Sequence, residues 1–265
     1  MNYVWAAFKW LADSSHWSGT GGIWVRLGQH LATTGIAVGI AVVIAVPAGI
    51  LIGHTRHGST VVASIAGAAR SIPTLGLLTL FALWLGIGLE APLLALIILA
   101  IPSALAGAYA GIQAVDPAIP DAARAVGMNE VRIITQVECP LGAPVIIGGI
   151  RAATLQVVAT ATLAAYVADN GLGRYLFIGL KTRDYAQMVA GAILVIVLAL
   201  ILEIGLAIVQ RLVSIHVTHP ESSKIVRQDD NVGIQDDNVG IQDDNVGNHP
   251  VILPEAGSHP LTRRH

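Results

Sequence analysis

The sequence predicts an all-α membrane protein, a polytopic bundle of about five or six transmembrane helices. Of the 265 residues, 54% are hydrophobic and only 12% are charged, whereas a typical soluble domain carries roughly 25% charged residues. Several nearly uncharged runs reach the ~20 residues that a helix needs to cross a bilayer. These runs are continuous rather than alternating, so helices are the structures expected to satisfy their backbone groups within lipid.

The apolar runs place four of the crossings at about residues 29–53, 91–113, 144–167 and 188–213. A further apolar stretch, residues 59–88, is too long for one uniform helix and is interrupted by Arg70 and Pro73. Proline lacks a backbone donor and kinks or ends a helix. Residues 59–70 are therefore either a separate short helix or one half of a kinked one.

Glycines spaced four residues apart are candidate points of close helix contact, because a missing side chain lets two backbones approach. Two such pairs occur, Gly35 with Gly39 and Gly107 with Gly111. Glycine is also common in membrane helices generally, so the pattern alone does not decide whether either pair lies at a contact.

The ends of the chain differ from its centre. Residues 1–27 are predicted to be an interfacial segment, because four tryptophans precede residue 25 and tryptophan prefers the headgroup layer. Residues 28–214 form the predicted transmembrane domain. Residues 215–265 form a polar tail with repeats of QDDNVGI at 228–247. Asp, Asn and Gly oppose helix formation, so we expect the tail to be disordered.

Several functional classes are disfavoured by composition and by missing motifs. The net charge of −2 does not indicate nucleic-acid binding. A single cysteine, Cys139, excludes an internal disulfide and a multi-Cys metal site. No lysine lies in a Gly-x4-Gly-Lys-Ser/Thr loop, and neither His-Glu-x-x-His nor Gly-x-Ser-x-Gly occurs. The sequence therefore predicts a chain that is not an enzyme and holds no cofactor or metal.

The polar segment 114–143 predicts a compact helix-turn-helix between two crossings. Asp116 is a helix-start signal, and Gly127 suits the left-handed conformation that ends a helix. Asn129 is placed to cap a second helix, which Pro140 is expected to end. A loop built this stiffly is suited to transmit force or to dock against a partner.

This segment resembles a cytoplasmic motif of ABC import permeases, which reads Glu-Ala-Ala, three residues, Gly, nine residues, Ile-x-Leu-Pro. The chain has Asp121-Ala122-Ala123, then Gly127, then Val137-Glu138-Cys139-Pro140, at the same spacing. Asp replaces Glu and keeps its charge, while Val and Cys replace Ile and Leu and keep apolar character. The resemblance implies the type I ABC importer permease fold.

The resemblance covers roughly residues 25–213. Within the family the chain is similar to the osmoprotectant branch, whose members import glycine betaine, choline, carnitine or proline. It rests on stretches outside the motif as well, which are Arg70-Ser71-Ile72-Pro73-Thr74-Leu75, Gly86-Ile87-Gly88, Gly107-Ala108-Tyr109-Ala110-Gly111-Ile112, Gly171-Leu172-Gly173-Arg174-Tyr175-Leu176 and Arg183-Asp184-Tyr185.

The resemblance implies a multi-pass subunit of the bacterial inner or plasma membrane that forms the translocation pathway. The partners it implies are cytoplasmic ABC ATPase subunits, which bind the ATP and Mg²⁺, a second permease subunit, identical or paralogous, and an extracytoplasmic solute-binding protein. It also implies a set of residues that couple to the ATPase: Asp121, Ala122, Ala123, Arg124, Val126, Gly127 and Pro140.

Charged and aromatic residues within the crossings are candidates for the pathway, because a charge inside a membrane costs about 2.5–3.5 kcal/mol. Glu203 either faces the bundle, pairs with another charge or lies near a membrane boundary, where Arg151 is also expected. His54 is expected at the surface. Quaternary ammonium ions are held by aromatic cages, yet aromatic residues make up only 5% of the chain. The candidates are Arg70, Pro73, Trp84, Tyr109, Tyr166 and Glu203.

Two other transport functions remain open at this point. A self-contained secondary transporter would work without ATP and would show inverted repeats with broken helices. An ABC permease for another small substrate, such as an amino acid, is the second alternative. An intramembrane enzyme is disfavoured because the catalytic motifs are missing.

Overall fold

The computed structural model describes residues 3–217, except for the side chains of residues 59, 61, 65, 69, 70, 216 and 217. The predicted repeats at 228–247 lie outside the described residues. Within 3–217 the backbone forms helices and turns without a strand. The predicted all-α fold class is therefore confirmed.

The helices of the described part are α1 (Tyr3–Ala12), α2 (Ile23–Thr55), α3 (Ser59–Ser71), α4 (Thr74–Leu85), α5 (Glu90–Gln113), α6 (Ala118–Ala125), α7 (Glu130–Ile133), α8 (Cys139–Thr160), α9 (Gly173–Thr182) and α10 (Tyr185–Val217). Short 3₁₀ turns lie at Ser14–His16 and Ala161–Tyr166, and one wider π-turn lies at Ile134–Glu138.

Four helical stretches of the described chain are long and apolar enough to cross a membrane, and they are Ile23–Thr55, Glu90–Gln113, Glu130–Tyr166 and Tyr185–Ile215. Each overlaps a predicted crossing almost completely and begins before it, although the third ends at Tyr166, one residue before the predicted end at 167. Helix α2, for example, begins at Ile23, inside the predicted N-terminal segment. Its length, ~50 Å at 1.5 Å per residue, exceeds the ~30 Å hydrocarbon core of a bilayer.

The apolar stretch 59–88 is broken into two separate helices. Helix α3 ends at Ser71, and α4 begins at Thr74 with Pro73 as the residue before it, in an extended conformation. Proline cannot continue a hydrogen-bonded helix from the preceding turn, and it biases the residue before it towards extended backbone. Of the two alternatives for residues 59–70, the structure therefore shows the separate short helix.

Helices α2, α5 and α8 form the centre of the bundle, and small residues let them pack closely. On α2 the buried positions Ala41, Ala45, Gly49 and Gly53 recur every four residues and so lie on one face. A Cβ at Gly49 would lie 2.6 Å from the carbonyl oxygen of Leu105 on α5. The two backbones are thus in direct contact at this level.

The two predicted glycine pairs have different outcomes. A Cβ at Gly107 would overlap the Cα of Gly149, and one at Gly111 would lie 2.8 Å from the carbonyl oxygen of Gly142. This pair therefore forms the contact between α5 and α8. A Cβ added to Gly35 or Gly39 would meet no atom within 4 Å, so these two glycines do not form a helix contact within the described chain.

Helix α1 and the turn that precedes α2 contact α9. The ring of Trp10 lies edge-to-face against Tyr175, with centroids 5.4 Å apart. The hydroxyl of Tyr175 donates a 2.7 Å hydrogen bond to the carbonyl oxygen of Gly21. These contacts fix the N-terminal segment to the transmembrane helices, while its predicted place in the headgroup layer stays a prediction.

Candidate functional site

The chain between α5 and α8 forms a rigid two-helix element, residues 116–138, which we call the elbow. The Asp116 carboxylate accepts a 2.9 Å hydrogen bond from the backbone N–H of Ala118, where α6 begins. Gly127 has a φ of +88°, in the left-handed region that glycine adopts without strain. The side chain of Asn129 accepts from the N–H of Arg132 at 2.9 Å and caps α7. The predicted helix-turn-helix is confirmed in these details.

Charged side chains tie the two halves of the elbow together. The Arg124 guanidinium donates to Oε1 and Oε2 of Glu130 at 2.9 and 3.0 Å, and to Oδ1 of Asp121 at 2.7 Å. The hydrogen bonds that Arg124 donates to Glu130 raise the pKa of Arg124 above its ordinary value. Planar two-point contacts of this kind fix direction as well as distance. The elbow is therefore stiff on its own, without a partner.

The tip of the elbow carries exposed apolar side chains beside its charged residues. Val126 is 80% exposed and Val131 is 69% exposed, and Ile119 and Ala122 are exposed beside them. Large exposed aliphatic side chains at the tip of a rigid element are typical of a docking surface. Of the predicted coupling residues, the structure places Ala122, Val126 and Gly127 on this exposed tip and leaves Ala123 half-buried.

The elbow is fastened to the end of α2 by His54, which the sequence predicted to be a surface residue. Nδ1 of His54 lies 2.6 Å from Oε2 of Glu138, and Nε2 lies 3.0 Å from Oε2 of Glu130. The Glu138 side chain is 1% exposed. Both ring nitrogens of His54 therefore face carboxylate oxygens of the elbow. This cluster of three side chains is the main feature that sequence reasoning missed.

Two further hydrogen bonds join the same end of α2 to Gln113 at the end of α5 and to Val115, just before the elbow. The side chain of Gln113 donates to the carbonyl oxygen of Gly53 at 2.8 Å. Arg56 donates to the carbonyl oxygen of Val115 at 3.0 Å. Carbonyls at a helix C-terminus lack partners within the helix, and here the Gly53 carbonyl finds one on α5. The elbow is thus held to α2 at both of its ends.

The prediction that Pro140 ends a helix is wrong. Pro140 lies in the first turn of α8, and the helical path runs from Glu130 through the π-turn into α8. In that turn the N–H of Cys139 bonds to the carbonyl oxygen of Ile134, five residues back. The wider turn relieves the clash between a proline ring and the carbonyl four residues before it. The second half of the elbow, from Glu130 onward, therefore forms one continuous helical stretch with α8.

A second polar cluster lies within the helices that are long enough to span the membrane. Arg151 on α8 forms a two-point ion pair with Glu203 on α10, in which Nε lies 2.9 Å from Oε2 and the second bond joins a terminal guanidinium nitrogen to Oε1. Arg151 also donates to the side chain of Gln210 at 3.0 Å. Of the alternatives for Glu203, the structure shows the ion pair, and its partner Arg151 lies mid-helix rather than at a boundary.

The remaining pathway candidates are spread over several elements. Pro73 lies between α3 and α4, Trp84 is exposed on α4, and Tyr109 is half-buried on α5. Tyr166 is exposed, with its ring centroid 5.7 Å from that of Phe177. The side chain of Arg70 lies outside the described residues. The roles of these six residues stay predictions. The candidates whose side chains the structure describes share no hydrogen bond or ring contact with each other.

The opposite end of the bundle carries a third polar cluster. Arg26 on α2 pairs with the Asp169 carboxylate at 2.9 Å and donates to its carbonyl oxygen at 2.8 Å. His30, which is buried, donates from Nε2 to the carbonyl oxygen of Val158 at 3.0 Å. The Asn170 amide donates to the hydroxyl of Thr33 at 2.9 Å. These contacts join α2 to the end of α8 and to the loop that follows it.

Fold and site together define a helical membrane protein with a helix-turn-helix element of exposed apolar tip at one end and polar contacts along the helix that continues from it. Residues 45–215 match the family described as the inner membrane component of binding-protein-dependent transport systems. The chain belongs to this family of ABC importer permeases, and the predicted resemblance is confirmed. Family membership favours an importer subunit over a self-contained secondary transporter.

The curated relatives of this chain described below are permease proteins of osmoprotectant transport systems. The choline transport system permease protein OpuBB of Bacillus subtilis is 32% identical over 69% of this chain and 84% of its own length. The glycine betaine/carnitine/choline permease protein OpuCB of the same organism is 32% identical over 71% of this chain and 87% of its own. The carnitine transport permease protein OpuCB of Listeria monocytogenes is 34% identical over 69% of this chain and 84% of its own.

Solved structures of importers share the fold. An inward-facing structure of the MetNI methionine ABC transporter superposes with a TM-score of 0.64, at 22% identity, over 72% of this chain and 95% of that one. An amino acid ABC transporter gives a TM-score of 0.57, at 23% identity, over 71% of this chain and 92% of that one. At these identities the likeness concerns the fold, and it confirms the type I importer architecture.

Proposed function

We propose that this chain is the membrane-spanning subunit of an ATP-driven importer of compatible solutes of the glycine betaine, choline, carnitine or proline type. The observation that carries the proposal is the elbow: its tip is apolar and exposed, while its base is fixed to α2 and continues into α8. An element that is rigid within itself, open to a partner and continuous with a membrane helix is suited to transmit mechanical work.

The apolar tip would bury against an ATPase subunit in the cytoplasm. Val126 and Ala122 supply area for burial, worth about 25 cal/mol per Å² removed from water. Gly127, with no neighbouring atom within 4 Å of a Cβ position, leaves room for close approach of the partner. Closure of two ATPase subunits around bound ATP and Mg²⁺ would then displace the elbow and, with it, α8.

The other parts of the proposal follow from this arrangement. The chain is a non-catalytic subunit of the cell membrane, and it holds neither ATP nor Mg²⁺ itself. A second permease subunit, identical or paralogous, is needed because alternating access requires two parts that move against each other. An extracytoplasmic binding protein would select the solute. The names of the curated relatives support choline, carnitine and glycine betaine as the solute class.

The docking role is tested by Val126→Asp in the complex with its ATPase, reconstituted into vesicles. A carboxylate on the apolar tip should weaken ATPase binding and reduce solute uptake at least tenfold, since burying an unpaired charge is costly. Val126→Ile, which keeps the apolar surface, is the matched control and should retain uptake. Wild-type ATPase binding and uptake by Val126→Asp would refute the docking role.

The solute class is tested in the same vesicles. Uptake of glycine betaine, choline, carnitine and proline is compared with uptake of methionine and histidine. We expect saturable ATP-dependent uptake of at least one of the first four solutes and no such uptake of methionine or histidine. Uphill uptake by the isolated chain without an ATPase would overturn the proposal as a whole.

A further inference from the structure

The Arg151–Glu203 pair lies near the middle of helices α8 and α10, which both belong to stretches long and apolar enough to cross a membrane. Arg151 is 12 residues into α8, or about 18 Å from Cys139 along the axis at 1.5 Å per residue. Glu203 is 18 residues into α10, or about 27 Å of its ~50 Å length. A pair of charges at this depth lies close to the bilayer midplane when both helices span.

The pair is accessible rather than buried. Each side chain is 30% exposed. Both line a recess of about 350 Å³ together with Gly148, Ala152, Leu155 and Gln210. A volume of this size falls in the range that small-molecule sites occupy, about 300–1,000 Å³. The short side chains of Gly148 and Ala152 leave the space beside the two charges open.

The recess holds two charged side chains, whereas much of the remaining exposed surface of α10 is apolar, as is typical of a surface that faces lipid. Exposed positions of α10 elsewhere are large and aliphatic, as at Ile196, Leu200, Ile204 and Ile208. Charged groups at membrane depth face the bundle interior or a water-filled cavity, because contact with lipid is costly. The recess is therefore expected to face the solute pathway, with Gln210 holding Arg151 in place at 3.0 Å.

We propose that Arg151 and Glu203 form an exchange site for a zwitterionic solute, in which the solute carboxylate binds Arg151 and its quaternary ammonium binds Glu203. This inference rests on the proposed function and adds to it the charge pattern that the pathway selects. Inserting a zwitterion replaces one ion pair with two, so no charge is left unpaired. A cation alone leaves Arg151 without a counter-charge, and an anion alone leaves Glu203 without one, which is expensive at low dielectric.

Occupancy of the recess is tested by thiol labelling of the whole transporter in detergent. The variant Cys139→Ser/Ala152→Cys places a single thiol on an exposed lining position. Saturating glycine betaine should slow its reaction with a small methanethiosulfonate reagent at least threefold. Choline should give less than half of that protection, and Arg151→Gln/Glu203→Gln in the same background should abolish it.

Selection by the site is tested by uptake in reconstituted vesicles. Arg151→Gln/Glu203→Gln keeps hydrogen-bonding side chains at both positions and should lower the ratio of betaine to choline uptake at least tenfold. The matched control is Arg26→Gln/Asp169→Asn, which neutralises the ion pair at the far end of the bundle and should leave that ratio unchanged.

The outcomes separate this inference from the proposed function. Equal loss of betaine and choline uptake, or no protection of the thiol by betaine, would show that the pair only joins α8 to α10 or faces a second copy, and would overturn the inference. Betaine protection without uptake of any osmoprotectant would instead overturn the proposed solute class and leave the exchange site standing.

Discussion

His54 is the residue whose substitution should most weaken the attachment of the elbow to α2. His54→Ala removes the partner of Glu138, whose side chain is 1% exposed, and the second contact to Glu130. The Glu138 carboxylate then stays in a site from which water is largely excluded, without the N–H that now lies 2.6 Å away. The variant therefore leaves a buried charge uncompensated instead of merely deleting a surface contact.

The magnitude follows from burial. Removing one member of a buried ion pair costs about 3–5 kcal/mol. The half-exposed contact to Glu130 adds ~0–1 kcal/mol, and relaxation of the surrounding side chains together with entry of water relieves part of the total. A net loss of about 2–4 kcal/mol remains, and at ~2–4 °C per kcal/mol for a chain of this size it lowers Tm by about 5–15 °C.

The assay is thermal unfolding of the purified transporter in detergent, together with uptake and ATPase rates. The matched control is His57→Ala, because the ring of His57 is exposed and contacts only the carbonyl oxygen of Thr55. The double variant His54→Leu/Glu138→Met should recover most of the lost stability, since it leaves no charge unpaired. A Tm for His54→Ala equal to that of His57→Ala would refute the reasoning.

Two other substitutions and one deletion test separate parts of the molecule. Gly107→Ala should lower Tm by the equivalent of about 1–3 kcal/mol, because its methyl group meets the Gly149 backbone, whereas Gly35→Ala, with nothing within 4 Å, should not destabilise. Gly127→Trp should lower stability slightly, because only glycine adopts a φ of +88° without strain, but it should preserve membrane insertion and uncouple ATP hydrolysis from uptake. Unchanged uptake would contradict the docking role. Deletion of residues 221–265 should leave uptake nearly intact; its loss with normal insertion would contradict the prediction that the tail is dispensable.

The local geometry of the elbow was predictable because neighbouring residues determine it. The Asp116 and Asn129 side chains cap backbone groups only two and three residues away. Gly127 occupies the one turn conformation that other residues adopt at a cost. Such features depend on a few consecutive residues, so their spacing in the sequence is sufficient to place them.

The polar contacts between helices were not predictable in the same way. His54 and Glu138 are 84 residues apart, and Arg151 and Glu203 are 52 apart. Whether two such side chains meet depends on the rotation and height of two packed helices, which close glycine contacts such as Gly107 with Gly149 set. The prediction that Pro140 ends a helix was wrong for a related reason. One extra residue in the preceding turn lets the helix continue through the proline.

Helix α8 is the common member of the polar contacts at three levels of the bundle. The π-turn joins it to the elbow, where Glu138 contacts α2 through His54, and near its far end the carbonyl oxygen of Val158 accepts from His30, also on α2. Its middle contacts α10 instead, through Arg151 and Glu203. Because α2 holds α8 at both ends, force applied to the elbow should move α2 and α8 together. The contact to α10 is then the one expected to open, and the proposed exchange with a zwitterion would replace it without leaving a charge unpaired.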